Sequence, residues 1–339
     1  MTRGDRGPIR VGVVGTGAIS QIVHLPILSE RGDVEVVAVS DEDVHKARTI
    51  AQRFGVPHVI SDDQMMSDDR VEAVFLCTPN HLHEEQAVAA LEGGKHVLVE
   101  RPLAFTPEGC HRIVDAAEAA SRTVVVGMSH RFRPDAVALR SFVAGGELGD
   151  IYAVRGSWLN RTFPLPQATW RQRPEQAGGG ALMDLGVQAI DLCLWLLGYP
   201  AVRGVRAIAH VDAYEVEEAA TFLARLDGDV SLSVEVSWVY FAGEDRHYVR
   251  LMGTEGSGSL PPLEIFKQLG GRPLDVTPRQ PLPRGGENPY TNAYRREIDY
   301  FVRAIYGEWE ADLPREQAVL MGLVQAAYRS IEEGREVEL

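Results

Sequence analysis

Ile9-Arg-Val-Gly-Val-Val-Gly-Thr-Gly-Ala-Ile-Ser20 is followed, one helix-length later, by Val34-Glu-Val-Val-Ala-Val-Ser-Asp41. The apolar run Val11, Val13, Val14 reads as a strand. It meets the turn Gly15-Thr16-Gly17-Ala18-Ile19-Ser20, then an amphipathic segment, then a second apolar run that ends on an acid. A glycine turn lets backbone N–H groups approach a pyrophosphate, and the helix N-terminus behind it adds partial positive charge. An acid at the end of the second strand can take the two hydroxyls of an adenosine ribose. Any tight turn can use glycine, so the glycines alone say little. The ordered set of strand, turn, helix, strand and acid points to a dinucleotide site. Ser20 stands at the third small position and still allows close helix–strand packing. Negative charge at Asp41-Glu-Asp43 repels a 2′-phosphate, which favours NAD over NADP.

The 339 residues suggest two domains, expected at 1–128 and 129–339, with room for the closing helices to pack back on the first. A hydrophobic content of 45% and a charged content of 24% are ordinary for a globular chain. The net charge of −14 argues against a general nucleic-acid or anionic-membrane partner. Cys77, Cys110 and Cys193 are widely spaced and suggest neither a disulfide framework nor a thiolate metal site. The first eight residues have no apolar core, and no uninterrupted apolar stretch reads as long enough to span a bilayer. A cytoplasmic protein is expected.

Strands are expected at Arg10–Val14, Val34–Ser40, Ala73–Cys77, His96–Val99 and Thr123–Gly127, alternating with helices at Ser20–Arg31, His45–Phe54, His83–Glu92 and Pro107–Ala120. This alternation predicts a doubly wound parallel sheet. In such sheets ligands sit beyond the carboxyl ends of the strands, where Thr78-Pro79-Asn80, Glu100-Arg101-Pro102 and Ser129–Arg131 fall. Beyond Gly149 come longer strands (Ile151–Trp158, Val205–Val211, Ala220–Ala224, Val230–Val239, Tyr248–Gly253), a long apolar helix at Leu182–Leu197, and a Pro/Gly-rich loop or irregular hairpin at Pro261–Gly286. Helices at Tyr290–Tyr306 and Arg315–Glu333 close the chain.

Glu100-Arg101-Pro102, together with Gly178-Gly-Gly-Ala-Leu-Met-Asp184-Leu-Gly186-Val-Gln188-Ala-Ile-Asp191, resembles the glucose–fructose oxidoreductase / inositol dehydrogenase (Gfo/Idh/MocA) family. His24-Leu-Pro, Cys77-Thr-Pro-Asn80, His96-Val-Leu-Val-Glu100, Arg131-Phe-Arg-Pro134, Gly146-Glu-Leu-Gly149 and Trp170-Arg171 extend the resemblance over almost the whole length. It implies an α/β protein: an N-terminal Rossmann doubly wound parallel sheet holding NAD or NADP, then an α+β domain with an open, mostly antiparallel sheet. That sheet often forms the oligomer contact, as a dimer or tetramer, and its other side covers the substrate cleft. The implied substrate is a sugar, sugar derivative or polyol. The resemblance also places Asn80 and His83 at the nicotinamide pocket, His83 at its mouth, and makes Glu100 a positioning acid near the cofactor ribose.

Two positions depart from the family pattern. Its usual Glu-Lys-Pro reads Glu-Arg-Pro here, and its Asp-x-Gly-x-His reads Asp184-Leu-Gly186-Val-Gln188. Oxidising an alcohol needs a base for the hydroxyl proton. Arg101 is permanently protonated and Gln188 does not titrate, so both are read as groups that bind and orient. Asp184, one helical turn before Gln188, is the first candidate for proton transfer, with His130 as the second. Trp158, Arg161, Trp170 and Arg171 are candidates for the substrate pocket alongside His130. No metal is expected: His81-Leu-His83 lacks the carboxylate–histidine spacing of a zinc site. Asp191 is given a structural bond across the domain interface. Loss of both usual proton-transfer groups also leaves open an NAD-binding sensor or an NAD-retaining glycosidase.

Overall fold

The computed structural model describes residues 7–161, 169–279 and 288–339. The chain divides into two compact units, Met1–Ser129 with Tyr290–Ala318, and His130–Pro289 with Val319–Leu339.

The first unit holds a six-stranded parallel sheet in the order β3-β2-β1-β4-β5-β6. Its strands are β1 (Ile9–Val14), β2 (Val34–Ser40), β3 (His58–Val59), β4 (Ala73–Leu76), β5 (His96–Val99) and β6 (Val124–Val126). The central strands are covered on both faces, which is why they read as unbroken apolar runs. All four residues of β4 are buried, and five of the six in β1. The two-residue edge strand β3 is too short to leave a sequence pattern. The helix expected over Ser20–Arg31 is a π turn, Ser20–His24, running into a short α-helix, Leu25–Ser29. Pro26 lies at the junction; it has no N–H for the preceding turn, and the wider turn accommodates its ring.

Helix Pro289–Ile305 completes this unit. Ile298, Phe301, Val302 and Ile305 join Ile9, Val11, Val13, Phe75 and Leu98 in one core. Phe301 meets Phe75 edge-on with ring centres 5.6 Å apart. Burying such a side chain is worth about 2–3 kcal/mol. This helix, far along the chain, thus covers the first sheet.

The second unit holds a nine-stranded sheet in the order β14-β13-β12-β11-β7-β10-β9-β8-β15. The strands are β7 (Ile151–Arg161), β8 (Val202–His210), β9 (Ala219–Leu226), β10 (Val230–Tyr240), β11 (Arg246–Gly253), β12 (Gly256–Leu260), β13 (Glu264–Leu269), β14 (Arg272–Asp275) and β15 (Val337–Glu338). Among the described strands only β7 and β10 pair in parallel; the other pairs are antiparallel. In the Pro/Gly-rich stretch, β13 and β14 form a hairpin through Gly270-Gly271, both at positive φ (58° and 77°). Such turns match the twist of a two-residue hairpin, and glycine adopts them without steric cost. Residues 280–286 of that stretch lie outside the described residues.

Alternation gives the sheet two unlike faces. Val154, Val205, Phe222, Leu232, Val234 and Leu251 are buried on one. The register carries Arg206, Leu223, Ser233, Arg155, Arg250, Ser259 and Glu264 across the other, where Leu223 and the neighbouring Ile208 are 55% and 66% exposed. The helix expected as one piece at Leu182–Leu197 is a π turn, Leu182–Gly186, continuing as an α-helix, Val187–Leu196. The segment Pro174–Leu196 passes a membrane-span test by length and mean hydropathy, 1.3, but Glu175, Asp184 and Asp191 interrupt it. It is 78% buried inside the protein, as the core helix of a folded domain is.

Candidate functional site

In the first unit the glycine turn splits into two kinds of glycine. Gly15 has φ 86°, and a Cβ there would lie 2.6 Å from the Cys77 carbonyl oxygen, so the chain itself demands glycine. A Cβ on Gly17 would meet no atom within 4 Å. Among the described residues, no other part of the chain explains glycine at 17, whereas a group lying against the backbone there would. Gly17, Ala18 and Ile19 form the accessible lip of the turn, while Ser20 is buried behind it.

Asp41 is wired to that turn. Thr16 donates to it from its backbone N at 2.7 Å and from Oγ1 at 2.8 Å, Asp43 N donates at 3.0 Å, and Lys46 Nζ pairs with it at 2.8 Å. Burial opposes its ionisation, but the bonds from Lys46, Thr16 and Asp43 win and hold the carboxyl below its usual range. The turn, its open glycine and this fixed acid together fit a dinucleotide.

At the next strand ends, Asn80 is buried and Thr78 Oγ1 donates to Gln86 Oε1 at 2.6 Å. His83 corrects an expectation. It is 1% exposed, with Nδ1 2.7 Å from the Pro102 carbonyl oxygen and Nε2 2.9 Å from that of Thr78. Burial lowers its pKa, and a neutral imidazole carries one N–H, so His83 donates to one of these two carbonyls while it packs beneath the Thr78 and Pro102 turns, away from any exposed mouth. Glu100 likewise faces inward: its Oε1 is 2.7 Å from Nε2 of the fully buried His24. Burial works against its charge, yet the His24 bond and the nearby Arg101 and His83 lower its pKa. Gly127 leaves room for this carboxylate, since a Cβ there would sit 3.0 Å from Glu100 Oε2. Arg101, next along, is half-buried. Thr16 and Lys46 carried no sequence signal that separated them from ordinary helix and turn residues, and His24 was legible only as part of His24-Leu-Pro.

In the second unit, only Asp184 and Gln188 escape burial between 181 and 194. Gln188 Nε2 donates to the Asp184 carbonyl oxygen at 3.1 Å, which fixes both on one face. Asp184 Oδ2 accepts from Trp238 Nε1 at 3.1 Å, and Arg171 Nε lies 3.5 Å from Oδ1. Arg171 in turn stacks on Trp170, 4.4 Å from the ring centre. Asp184, Gln188, Arg171 and Trp170 thus come together, with Trp238 as a member that sequence reasoning missed.

The other candidates do not join them. Trp158 is 3% exposed, stacked on His247 at 5.5 Å and met edge-on by the buried His130 at 5.4 Å, so both pack in the interior of the second unit. Arg161 finishes β7, its backbone N held by Asp245 at 2.8 Å and its guanidinium by the Gly243 carbonyl at 3.2 Å. Asp191 is 1% exposed and accepts from Arg131 Nε at 2.8 Å and from the Tyr199 hydroxyl. Both of these partners lie in the same unit as Asp191.

The glycine triplet before Asp184 is closed by the protein. A Cβ on Gly179 would fall 1.9 Å from the Tyr328 hydroxyl, and one on Gly180 would fall 1.9 Å from the Glu217 carbonyl oxygen. The buried Glu217 carboxylate accepts from Gly180 N at 3.0 Å, Leu182 N at 2.9 Å and Tyr328 at 2.9 Å. It thereby caps the start of the helix that carries Asp184 and Gln188.

Residues 9–128 match the model of the GFO/IDH/MocA oxidoreductase family with its NAD-binding Rossmann fold, and residues 136–259 match the C-terminal domain of the same family. The chain is 29% identical over 351 residues to D-glucoside 3-dehydrogenase of Escherichia coli K12, covering 98% of each. It is 32% identical over 273 residues to a putative UDP-kanosamine synthase oxidoreductase subunit of Amycolatopsis mediterranei, covering 74% of this chain and 75% of that one. The crystal structure of GenD2 from gentamicin A biosynthesis, in complex with NAD, superposes with a TM-score of 0.85 at 27% identity, over 98% of this chain and 97% of that one. The chain is a member of the GFO/IDH/MocA family of oxidoreductases, and its first unit is an NAD-binding Rossmann domain.

Proposed function

We propose that this protein is an NAD-dependent dehydrogenase of a sugar, sugar derivative or polyol, with Asp184 as the group that takes the hydroxyl proton. The observation that carries the reading is the placement of Asp184: a carboxylate that keeps 18% exposure on an otherwise buried helix, aimed by Trp238 and Arg171. The D-glucoside 3-dehydrogenase among the relatives supports the substrate class.

NAD, when bound along Gly15–Ile19 with its ribose at Asp41, supplies the hydride acceptor. The rest is the work of the chain. Each carboxylate oxygen of Asp184 accepts more than one hydrogen bond, so Trp238 and Arg171 can orient it toward a substrate hydroxyl. A well-placed base of this kind contributes roughly 10²–10⁴-fold. Gln188 offers an amide that orients a neighbouring hydroxyl. Arg101 offers a fork of donors to a hydroxyl pair or an acidic group, and its permanent charge bars it from acting as the base. Trp170 with Arg171 gives a flat cationic plate for a sugar ring.

Two further assignments belong to the same proposal. The open face of the large sheet, with Ile208 and Leu223 exposed among alternating charges, is where a second copy of the chain packs. All three cysteines are free thiols, which suits the reducing cytoplasm.

The test is bulk NADH formation by purified protein across a panel of polyols, sugars and sugar acids. Net NADH formation supports the dehydrogenase. Sugar release with NAD retained and no net NADH would make it a glycosidase, and NAD binding without any turnover would make it a sensor.

A further inference from the structure

Asp41 has more donors than one carboxylate oxygen holds comfortably. Its Oδ2 takes Thr16 N at 2.7 Å, Thr16 Oγ1 at 2.8 Å and Lys46 Nζ at 2.8 Å, while Oδ1 takes Asp43 N at 3.0 Å. An oxygen of this type has about two lone-pair sites, so a ribose hydroxyl reaching Oδ2 must displace a present partner. Thr16 is fixed in the glycine turn. Asp43 is fixed as the N-cap of helix Val44–Phe54, its Oδ1 accepting from His45 N and Lys46 N at 3.0 Å each. Lys46 is different: its ammonium ends a flexible stem, and the side chain is 40% exposed. It is the partner that can leave. It would leave at the place where NAD and NADP differ, the ribose 2′ position, among the carboxylates of Asp41, Glu42 and Asp43.

We propose that Lys46 sets the cofactor selectivity of this chain: it yields Asp41 to the ribose hydroxyls of NAD, and pairs with the 2′-phosphate when NADP is offered, so that NADP is bound more weakly than NAD but not excluded. This rests on the reading of Asp41 as the ribose acid. The acid and its mobile counterion act as one unit. Asp41 rewards a free 2′-hydroxyl, and Lys46 offsets the repulsion that the three carboxylates would otherwise impose on a phosphate.

The experiment measures dissociation constants for NAD and NADP separately, by calorimetry on purified protein without substrate, so that no activity is needed. The variants are Lys46→Met, which keeps the stem and removes the charge, Lys46→Arg, which keeps the charge, and Asp41→Ala. Lys46→Met is expected to weaken NADP by about tenfold, the scale of one charge-assisted bond. It should leave NAD unchanged or bound more tightly, because the competing ion pair is gone. Lys46→Arg should retain NADP. An unchanged NADP-to-NAD ratio in Lys46→Met overturns the proposal, as does an equal weakening of both cofactors, which would mean that Lys46 only holds Asp41 in place. If Asp41→Ala weakens NAD while Lys46→Met leaves the ratio alone, the Lys46 proposal alone fails. If Asp41→Ala leaves NAD affinity untouched, the ribose reading fails with it.

Discussion

The turn at Gly15–Gly17 and the triplet at Gly178–Gly180 look alike as sequence. Each places glycines ahead of a helix, each helix begins with a π turn, and each turn is tied down by a carboxylate from elsewhere in the chain. Their surroundings differ. Around the triplet, the Tyr328 hydroxyl and the Glu217 backbone fill the space that side chains would need. In the first turn, Gly15 is closed by the Cys77 carbonyl, but Gly17 faces nothing within 4 Å. The carboxylates follow suit: Glu217 is used up by two N–H groups and a tyrosine, whereas Asp41 keeps one exchangeable partner. The same glycine spelling thus encodes an internal joint in one unit and a receptive surface in the other.

The largest expected effect lies at the joint. Gly180→Ala drives a Cβ into a backbone oxygen that cannot step aside, and should cost about 3 kcal/mol or more, read as a lowered urea midpoint. A stability change below about 1 kcal/mol would show that the triplet yields easily and that the comparison is wrong. Next comes Gly17→Val. Its melting should stay within about 1 kcal/mol of wild type, the scale of a β-branched residue at a helix start. NAD affinity, however, should fall on the order of a hundredfold as the backbone loses its approach to the pyrophosphate. A folded Gly17→Val that still binds NAD would reduce the first turn to a second joint.

A smaller effect separates the two carboxylates by the sign of their pH dependence. Asp41 titrates below its ordinary 3.8, so its stabilisation is present at neutral pH and is lost as pH falls through the folded value. Glu217 is pushed above its ordinary 4.5 by burial, so its contribution is full below 4.5 and declines as pH rises through the folded value. Chemical denaturation from about pH 3 upward should show the penalty of Asp41→Asn growing with pH and that of Glu217→Gln shrinking. Parallel slopes for the two variants would contradict the assignment of opposite environments.

The parallel sheet was readable because its strands are covered on both faces and glycines punctuate them; β1, β2, β4, β5 and β6 appear close to where the apolar runs place them. The large sheet was readable from its alternation, including Trp158 as a strand residue. Alternation gives the strand but not which face meets solvent, and Trp158 went to the interior. What stayed hidden depends on partners distant in sequence. Glu217 reaches Gly180 across 37 positions and Tyr328 across 111, and no local pattern announces either. His83 was legible as part of Thr-Pro-Asn-His-Leu-His. Its packing against the Pro102 carbonyl, which comes from beyond the next strand, was not. Asp184 and Gln188 were legible as a pair from their spacing, while Trp238, the donor that aims Asp184, lies 54 residues further on.

The most direct test of the account compares wild type and Asp184→Asn on the best substrate from the polyol and sugar panel, with NAD dissociation constants measured alongside. Asparagine keeps the shape and can still meet Trp238, so only the capacity to take a proton is removed. The expected result is a fall in kcat of roughly 10²–10⁴-fold with NAD affinity within about twofold of wild type. An Asp184→Asn protein that forms NADH as fast as wild type would contradict the account.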